Sequence, residues 1–434
     1  MPPILQFSDQ MSGLWIPYNG GMRPQDPQPI QPESAAARTR RTWAVAFAGF
    51  CAFLGLYATQ PLLPMLERFF QAGKATVSLT LTATTIGVAI AAPLVGSVAD
   101  RLGRKRVMVY SASLLALATL LDATATGLPS LVFWRFLQGL FTPGVFAVTV
   151  AYVQEEWAAG GAGGAMAIYV TGTVIGGFTG RMVTGLIASR WNWHWAFVLL
   201  GALGALGAAA LQAWLPPERH FTGRPQGASL LSGVGGHLAN PRLLATFAAG
   251  FGVLFSLVAT FTYVTFHLAA APFHLGPLGI GALFLTYLIG AAVTPPCGRA
   301  IDRYGHRTAL ALAMGMASCG MLLTLVPHLW TVVAGLTLCC SGVFVAQATT
   351  TSYIGLAAEH GKALAVGLYV TCYYVGGSVG AELPGLLWRF GGWPACVALV
   401  ILVQLATILL TWTCWSAASW PPPGTGGRSP ARSS

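Results

Sequence analysis

Residues 96–105 read Gly96-Ser-Val-Ala-Asp100-Arg101-Leu-Gly103-Arg104-Lys105, and residues 298–307 read Gly298-Arg-Ala-Ile-Asp302-Arg303-Tyr-Gly305-His306-Arg307. The glycine, aspartate, arginine and second glycine keep their spacing over a shift of 202 residues, Gly96 to Gly298. A second set of positions repeats with nearly the same shift. Tyr169-Val170-Thr171, Gly176-Gly177 and Gly180 return as Tyr369-Val370-Thr371, Gly376-Gly377 and Gly380, and Trp193 returns as Trp393. Apolar text resembles other apolar text by chance, but chance does not hold charges and glycines in register over such lengths. The chain is two copies of one unit.

The unit belongs in a membrane. Of 434 residues, 55% are hydrophobic and 8% charged, against about 25% charged in a soluble domain. Mean hydropathy is +0.66. A soluble enzyme, a disordered chain and a disulfide-stapled module are excluded. A spanning helix needs about 20 mostly apolar residues, and twelve such segments occur. They cover approximately 42–66, 77–99, 107–125, 129–153, 163–187, 194–215, 242–266, 278–300, 307–326, 329–355, 363–388 and 394–415. This predicts an N-terminal bundle over 41–215, a linker over 216–241 and a C-terminal bundle over 242–415. Disordered tails are expected at 1–40 and 416–434. The first tail is polar and proline-rich, without the pattern of a cleavable signal peptide, and Met11 and Met22 are alternative starts.

The net charge of +11 is scattered between apolar blocks, which argues against nucleic acid and for the positive-inside rule. With the N-terminus inside, one face carries Arg101, Arg104, Lys105, Arg106, Arg219, Arg224, Arg242, Arg299, Arg303, Arg307 and Lys362. The other carries Arg68, Lys74, Arg190 and Arg389. Both termini are therefore expected in the cytoplasm. The eight cysteines show no CxxC or Cys/His ligand spacing, so no metal is expected. A GxxxxGK[ST] loop is missing, which excludes ATP as this chain's own energy source, and so are HExxH and GxSxG, which argues against an enzyme.

The GSVADRLGRKR segment (96–106) resembles the loop signature of the major facilitator superfamily. Leu131-xxx-Arg135-xx-Gln138-Gly139 resembles the second motif of its drug/proton antiporter branch. YATQPLLPML (57–66), SLTLTATTIGVAIAAPL (78–94) and LYVTCYYVGGSVG (368–380) are similar to bacterial inner-membrane efflux permeases of the arabinose-efflux-like kind. The resemblance implies an all-α membrane protein of twelve transmembrane helices in two pseudo-symmetric six-helix bundles. Such a protein functions as a monomer in the bacterial cytoplasmic membrane. It takes no cofactor and draws on the proton gradient. Two departures stand out: GxxxGPxxGG in the fifth span becomes Gly172-xxx-Gly176-Gly177-xx-Gly180-Arg181, and the first span has no acidic residue.

Three groups of residues are candidates for function. Gly96, Asp100, Arg101, Gly103 and Arg104, with Gly298, Asp302, Arg303, Gly305 and Arg307, form a conformational latch or merely set topology. In the latch reading Gly96 lets two helices approach, and Arg104 pairs with Glu155 or Glu156. By resemblance, Asp100 sits on the first turn of the eleventh span, Gly361-Lys362-Ala363. The second group is ionisable. An arginine in a span costs roughly 2.5–3.5 kcal/mol, and Arg135 shares a helical face with Gln138, Thr142, Thr149 and Tyr152. That stripe is expected to line water or substrate, the alternative being an arginine snorkelling outward. Glu382, on a face with Thr371, Tyr374 and Ser378, is the first choice for proton coupling, with Arg135, Arg181 and Asp122 behind it. Its alternative is a static salt bridge or an interfacial position. The third group is a cavity wall of Tyr57, Gln60, Arg135, Gln138, Thr142, Ser256, Thr260, Tyr263, His267, Gln347, Thr351 and Tyr374. The first, fourth, seventh and tenth spans line the pathway in the superfamily, and the mixture suits an amphiphilic or polar small molecule. The sequence reading is a secondary active transporter exporting a small organic compound against proton entry. A sugar or metabolite facilitator or importer of the same fold is the alternative, and a non-transporting receptor the more distant one.

Overall fold

The computed structural model describes residues 35–157, 162–216, 218, 230–358 and 362–415. All regular structure among them is helical. Seven stretches are individually long and apolar enough to cross a membrane. The others fall short because of charged first turns, as in α4 (Arg104–Asp122), or a high content of glycine and threonine, as in α6 (Ala162–Arg190).

Counting rods gives twelve. The first is α1 (Ala35–Leu54), an irregular turn, a short 3-10 helix (Gln60–Leu62) and α2 (Leu63–Phe69). Pro61 and Pro64 cannot donate to a continuing helix, which is why this rod breaks. Then follow α3 (Lys74–Leu102), α4, α5 (Leu128–Glu156), α6 and α7 (Trp193–Trp214). The second bundle has α9 (Pro241–Ala269), the broken rod α10 (Pro277–Ala282) and α11 (Leu285–Tyr304), α12 (His306–Leu323) and α13 (Leu329–Ala357). Its last two rods form one run, α14 (Lys362–Cys414), broken only at Gly392, where φ is 59°. The expected gap between the last two spans is thus a single kink. Two further boundaries differ from expectation. Helix α1 begins inside the segment assigned to the tail, and the linker holds α8 (Leu230–Ala239). Asn240 ends that linker by capping α9, accepting from the Arg242 and Leu243 amides at 3.0 and 3.4 Å, with Pro241 in the first-turn position it favours.

The duplication is visible in the packing. Helix α6 lies so close on α1 that a Cβ at Gly172, Gly176 or Gly180 would overlap the carbonyls of Ala46, Phe50 and Leu54. Gly376 and Gly380 of α14 meet the Phe251 and Phe255 carbonyls of α9 in the same way. Small residues permit such approach where lipid provides no hydrophobic drive between helices.

Among the described residues the halves touch mainly at one end. One hydrophobic core runs through the C-terminal bundle into the part of the N-terminal bundle remote from the signature loops, taking in Leu62, Leu66, Val77, Leu81 and Val88. A separate core, including Ala44, Ala99, Met108, Val148 and Tyr152, fills the signature-loop end of the N-terminal bundle. Across the interface, Thr85 Oγ1 and Ser378 Oγ are 2.8 Å apart, and Thr371 donates to the Ala89 carbonyl at 3.4 Å. Over the next turns toward the loops Ile90, Leu94 and Val98 are exposed, and a Cβ at Gly96 or Gly298 would meet nothing within 4 Å. The close helix approach expected at Gly96 is therefore not made in this conformation, because the bundles are splayed at that end.

Candidate functional site

Arg135 lies wholly inside the N-terminal bundle, with no exposure. The break after α1 interrupts the helical hydrogen-bond ladder, and Arg135 donates to two carbonyls there, that of Gly55 also accepting from the Ala58 amide at 3.2 Å. Its Nη1 donates to the Gly55 carbonyl at 2.8 Å and its Nη2 to that of Leu56 at 2.6 Å. Its Nε donates to the Thr80 carbonyl at 3.2 Å, and Nη1 also reaches Gln138 Oε1. Gln138 Nε2 continues to Thr119 Oγ1 at 2.6 Å. Asp122, equally buried, sits 4.0 Å from Arg135 Nη1, and neither of its oxygens accepts a hydrogen bond. The remainder of the stripe, Thr142, Thr149 and Tyr152, is buried too. This face packs within its own bundle instead of lining a path.

Arg181 lies where the two halves meet. Its Nε donates to Gln60 Oε1 at 2.8 Å and its Nη1 to the Gly177 carbonyl at 2.8 Å. Gln60 Nε2 continues across to Thr262 Oγ1 of α9 at 3.4 Å. The guanidinium carbon is 4.8 Å from the ring centre of Tyr57, 4.6 Å from Phe284 and 4.7 Å from Tyr287. Tyr57 comes from the first rod, while Phe284 and Tyr287 flank the α10/α11 break. Among the described residues no carboxylate lies within ion-pair distance of Arg181.

Glu382, one turn from Ser378, is partly buried. Among the described residues it makes no ion pair, and its Oε2 is shut from solvent without a hydrogen-bond partner. The adjacent Tyr263 hydroxyl donates to the Ala381 carbonyl at 2.7 Å and the Glu382 carbonyl at 3.3 Å. Close by, Lys74 closes the end remote from the signature loops. Its Nζ is 2.6 Å from Glu67 and 5.3 and 5.6 Å from the ring centres of Phe266 and Trp388.

Other members of the expected cavity wall are dispersed. Ser256 is buried and donates to the Gly252 carbonyl of its own helix, while Thr260 donates to Met321 Sδ at 3.2 Å and so faces into the C-terminal bundle. His267 stacks on Trp393 at 5.5 Å. Tyr374 faces Phe146 across the interface at 6.1 Å. Gln347 is partly exposed and Thr351 exposed, on the tenth rod. The structure thus joins Tyr57, Gln60 and Arg181 and adds Phe284, Tyr287 and Thr262. The sequence reading passed over those three because apolar rings and a lone threonine inside a span carry no distinguishing pattern.

The signature loops differ from each other. Gly103 and Gly305 take positive φ, 94° and 78°, which only glycine adopts freely. In the first loop Arg104 bridges Asp100 at 2.7 Å and Glu155 at 2.8 Å. Glu218 from the linker accepts from the Lys105 amide at 2.6 Å, placing a carboxylate on the N-terminus of α4. Asp100 is thus engaged on its own loop. Of its expected partner turn, Gly361 and the Ala363 side chain lie outside the described residues. In the second loop Arg307 lies 4.0 Å over the Trp412 ring and Arg303 5.5 Å over Tyr304. Arg101 is exposed, and the Asp302 side chain lies outside the described residues.

Two six-helix halves, joined at one end and splayed at the signature-loop end, agree with the family comparison: the Major Facilitator Superfamily model matches residues 45–381 and 257–434. The chain belongs to the major facilitator superfamily. It is 34% identical over 376 residues to the inner membrane transport protein YnfM of Escherichia coli, covering 86% of this chain and 89% of that one. It is 32% identical over 375 residues to the uncharacterized MFS-type transporter YybF of Bacillus subtilis, covering 85% and 92%. A crystal structure of the nucleoside transporter NupG superposes with a TM-score of 0.72 at 14% identity, covering 86% of this chain and all of that one. This facilitator fold is a multi-pass membrane transporter, not an enzyme.

Proposed function

We propose that the chain is a secondary active transporter that exports a small organic molecule against proton entry by alternating access, in the bacterial inner membrane. The signature loops face the cytoplasm in this reading, since Lys and Arg concentrate on that side. The conformation is then inward-facing, with the Lys74 end closed toward the outside. The carrying observation is Glu382, a carboxyl inside a span that has no ion pair and keeps one oxygen buried without a partner. An ionisable group at membrane depth is costly and marks an ion path more often than a structural tie. Resemblance of the Arg135 segment to the drug/proton antiporters favours export.

The test is purified protein in liposomes with an imposed pH gradient and an enclosed pH-sensitive dye, challenged with cationic, neutral and anionic organic compounds. Substrate-triggered proton movement is expected in the parent protein. In Glu382→Gln gradient-driven flux collapses while substrate binding survives. Uptake of labelled compound with no proton movement would replace this reading with facilitated diffusion.

A further inference from the structure

The cation of Arg181 stands in the interface between the bundles with donors to spare and no acid to balance it. Only 3% of the residue is exposed. Two of its nitrogens are engaged, Nε by a neutral amide oxygen and Nη1 by a backbone carbonyl, while Nη2 donates to no protein acceptor. Tyr57, Phe284 and Tyr287 stabilise the charge through their ring faces, a contact that leaves N–H donors unused. Arg135, by contrast, has Asp122 and three carbonyls. The two spanning carboxylates nearest in sequence logic are elsewhere: Asp122 faces Arg135, and Glu382 lies beside Tyr263. Around Arg181 the rings of Tyr57, Phe284 and Tyr287 form a belt drawn from both bundles. Tyr57 and Tyr287 each keep 8% exposure.

We infer that Arg181 is the recognition point for an anionic group, and that the substrate is a small organic anion, a carboxylate or sulfonate on a flat apolar body. This rests on the transport reading and gives it a substrate class. A carboxylate meets a guanidinium with charge-assisted hydrogen bonds, and the rings around it suit an aromatic or unsaturated body. The placement also ties binding to movement. Arg181, Gln60 and Tyr57 come from one bundle, Phe284 and Tyr287 from the other, so an anion seated there neutralises a charge that rings of both bundles surround. A ligand shifts two states only through differential affinity, and a site divided between the moving halves supplies it.

The variant that isolates the charge is Gln60→Glu. It is nearly isosteric, and it places a carboxylate where Oε1 already accepts from Arg181, so the cation becomes satisfied internally. The experiment measures binding to the purified full-length protein by tryptophan fluorescence and thermal shift. The probes are benzoate, benzenesulfonate, benzamide and benzylamine, which share a ring and differ in charge. Benzoate or benzenesulfonate is expected to bind the parent protein, with benzamide and benzylamine weaker. In Gln60→Glu and Arg181→Gln, anion binding is expected to fall by about 30-fold or more, with Gln60→Glu keeping a cooperative thermal transition. Arg181→Lys restores part of it. The inference is overturned if neither anion binds the parent, if benzamide or benzylamine binds equally well, or if Gln60→Glu binds benzoate as the parent does. The outcomes separate from those of the transport reading. Anion binding through Arg181 without proton movement leaves the site and removes proton-coupled export. Proton movement driven by cations and unchanged in Gln60→Glu does the reverse.

Discussion

Arg135 and Arg181 are both buried in the N-terminal bundle, on neighbouring rods, and sequence treats them alike as arginines at membrane depth. Their surroundings are opposite. Arg135 fills a place made by the fold: the first rod breaks after Leu54, and the guanidinium takes two carbonyls there together with the Thr80 carbonyl and Gln138. Arg181 has one carbonyl, one amide and three rings. The first makes four hydrogen bonds and sits within one bundle. The second is under-coordinated and sits between two. Burial of a charge thus says little about its role until its acceptors are counted.

The contrast can be broken by substitution. The largest effect on stability belongs to Arg135→Ala, which leaves Asp122 buried and unpaired and takes donors from the carbonyls at the break. Removing one partner of a buried charge network costs about 3–5 kcal/mol, to be read as a depressed thermal transition in detergent. Asp122→Asn comes next. Its carboxylate accepts no hydrogen bond and stands 4.0 Å from the arginine, so the expected loss is about 1–3 kcal/mol. The smallest stability effect is expected of Arg181→Met. It gives up two charge-assisted bonds but relieves an unbalanced cation, and terms of about 1.5–3 kcal/mol each way leave a net change within about 2 kcal/mol. Transport should rank in the opposite sense, with flux abolished in folded Arg181→Met and retained per folded molecule in Asp122→Asn. If Arg181→Met unfolds as readily as Arg135→Ala, both arginines are structural ties and the distinction fails.

The fold was legible because a membrane helix writes itself in length and composition, and because the duplicated glycines and charges kept their offsets. Gly176 with Gly376 and Gly180 with Gly380 turned out to be the positions where helices touch backbone to backbone. The site was less legible. A polar stripe at helical spacing shows that one face differs, not whether it meets water or a neighbouring helix. The Arg135 face and the Thr260 face both turned into their own bundles for that reason. Pro61 and Pro64 stand at the break in the first rod, where the sequence reading has one unbroken span over 42–66. Phe284 and Tyr287 gave no sign, since rings in a span are ordinary lipid-compatible residues and only the tertiary crossing brings them to Arg181.

The two signature loops share a motif, yet among the described side chains the first is fastened by carboxylates and the second by rings. The Arg104–Glu155 bridge is partly exposed, with Glu155 at 41%, and screening acts over about 8 Å at physiological ionic strength. The contact of Arg307 with Trp412 at 4.0 Å involves no opposite formal charge. Salt therefore loosens the first fastening and barely touches the second. In these two contacts, copies of one sequence answer to different solution variables.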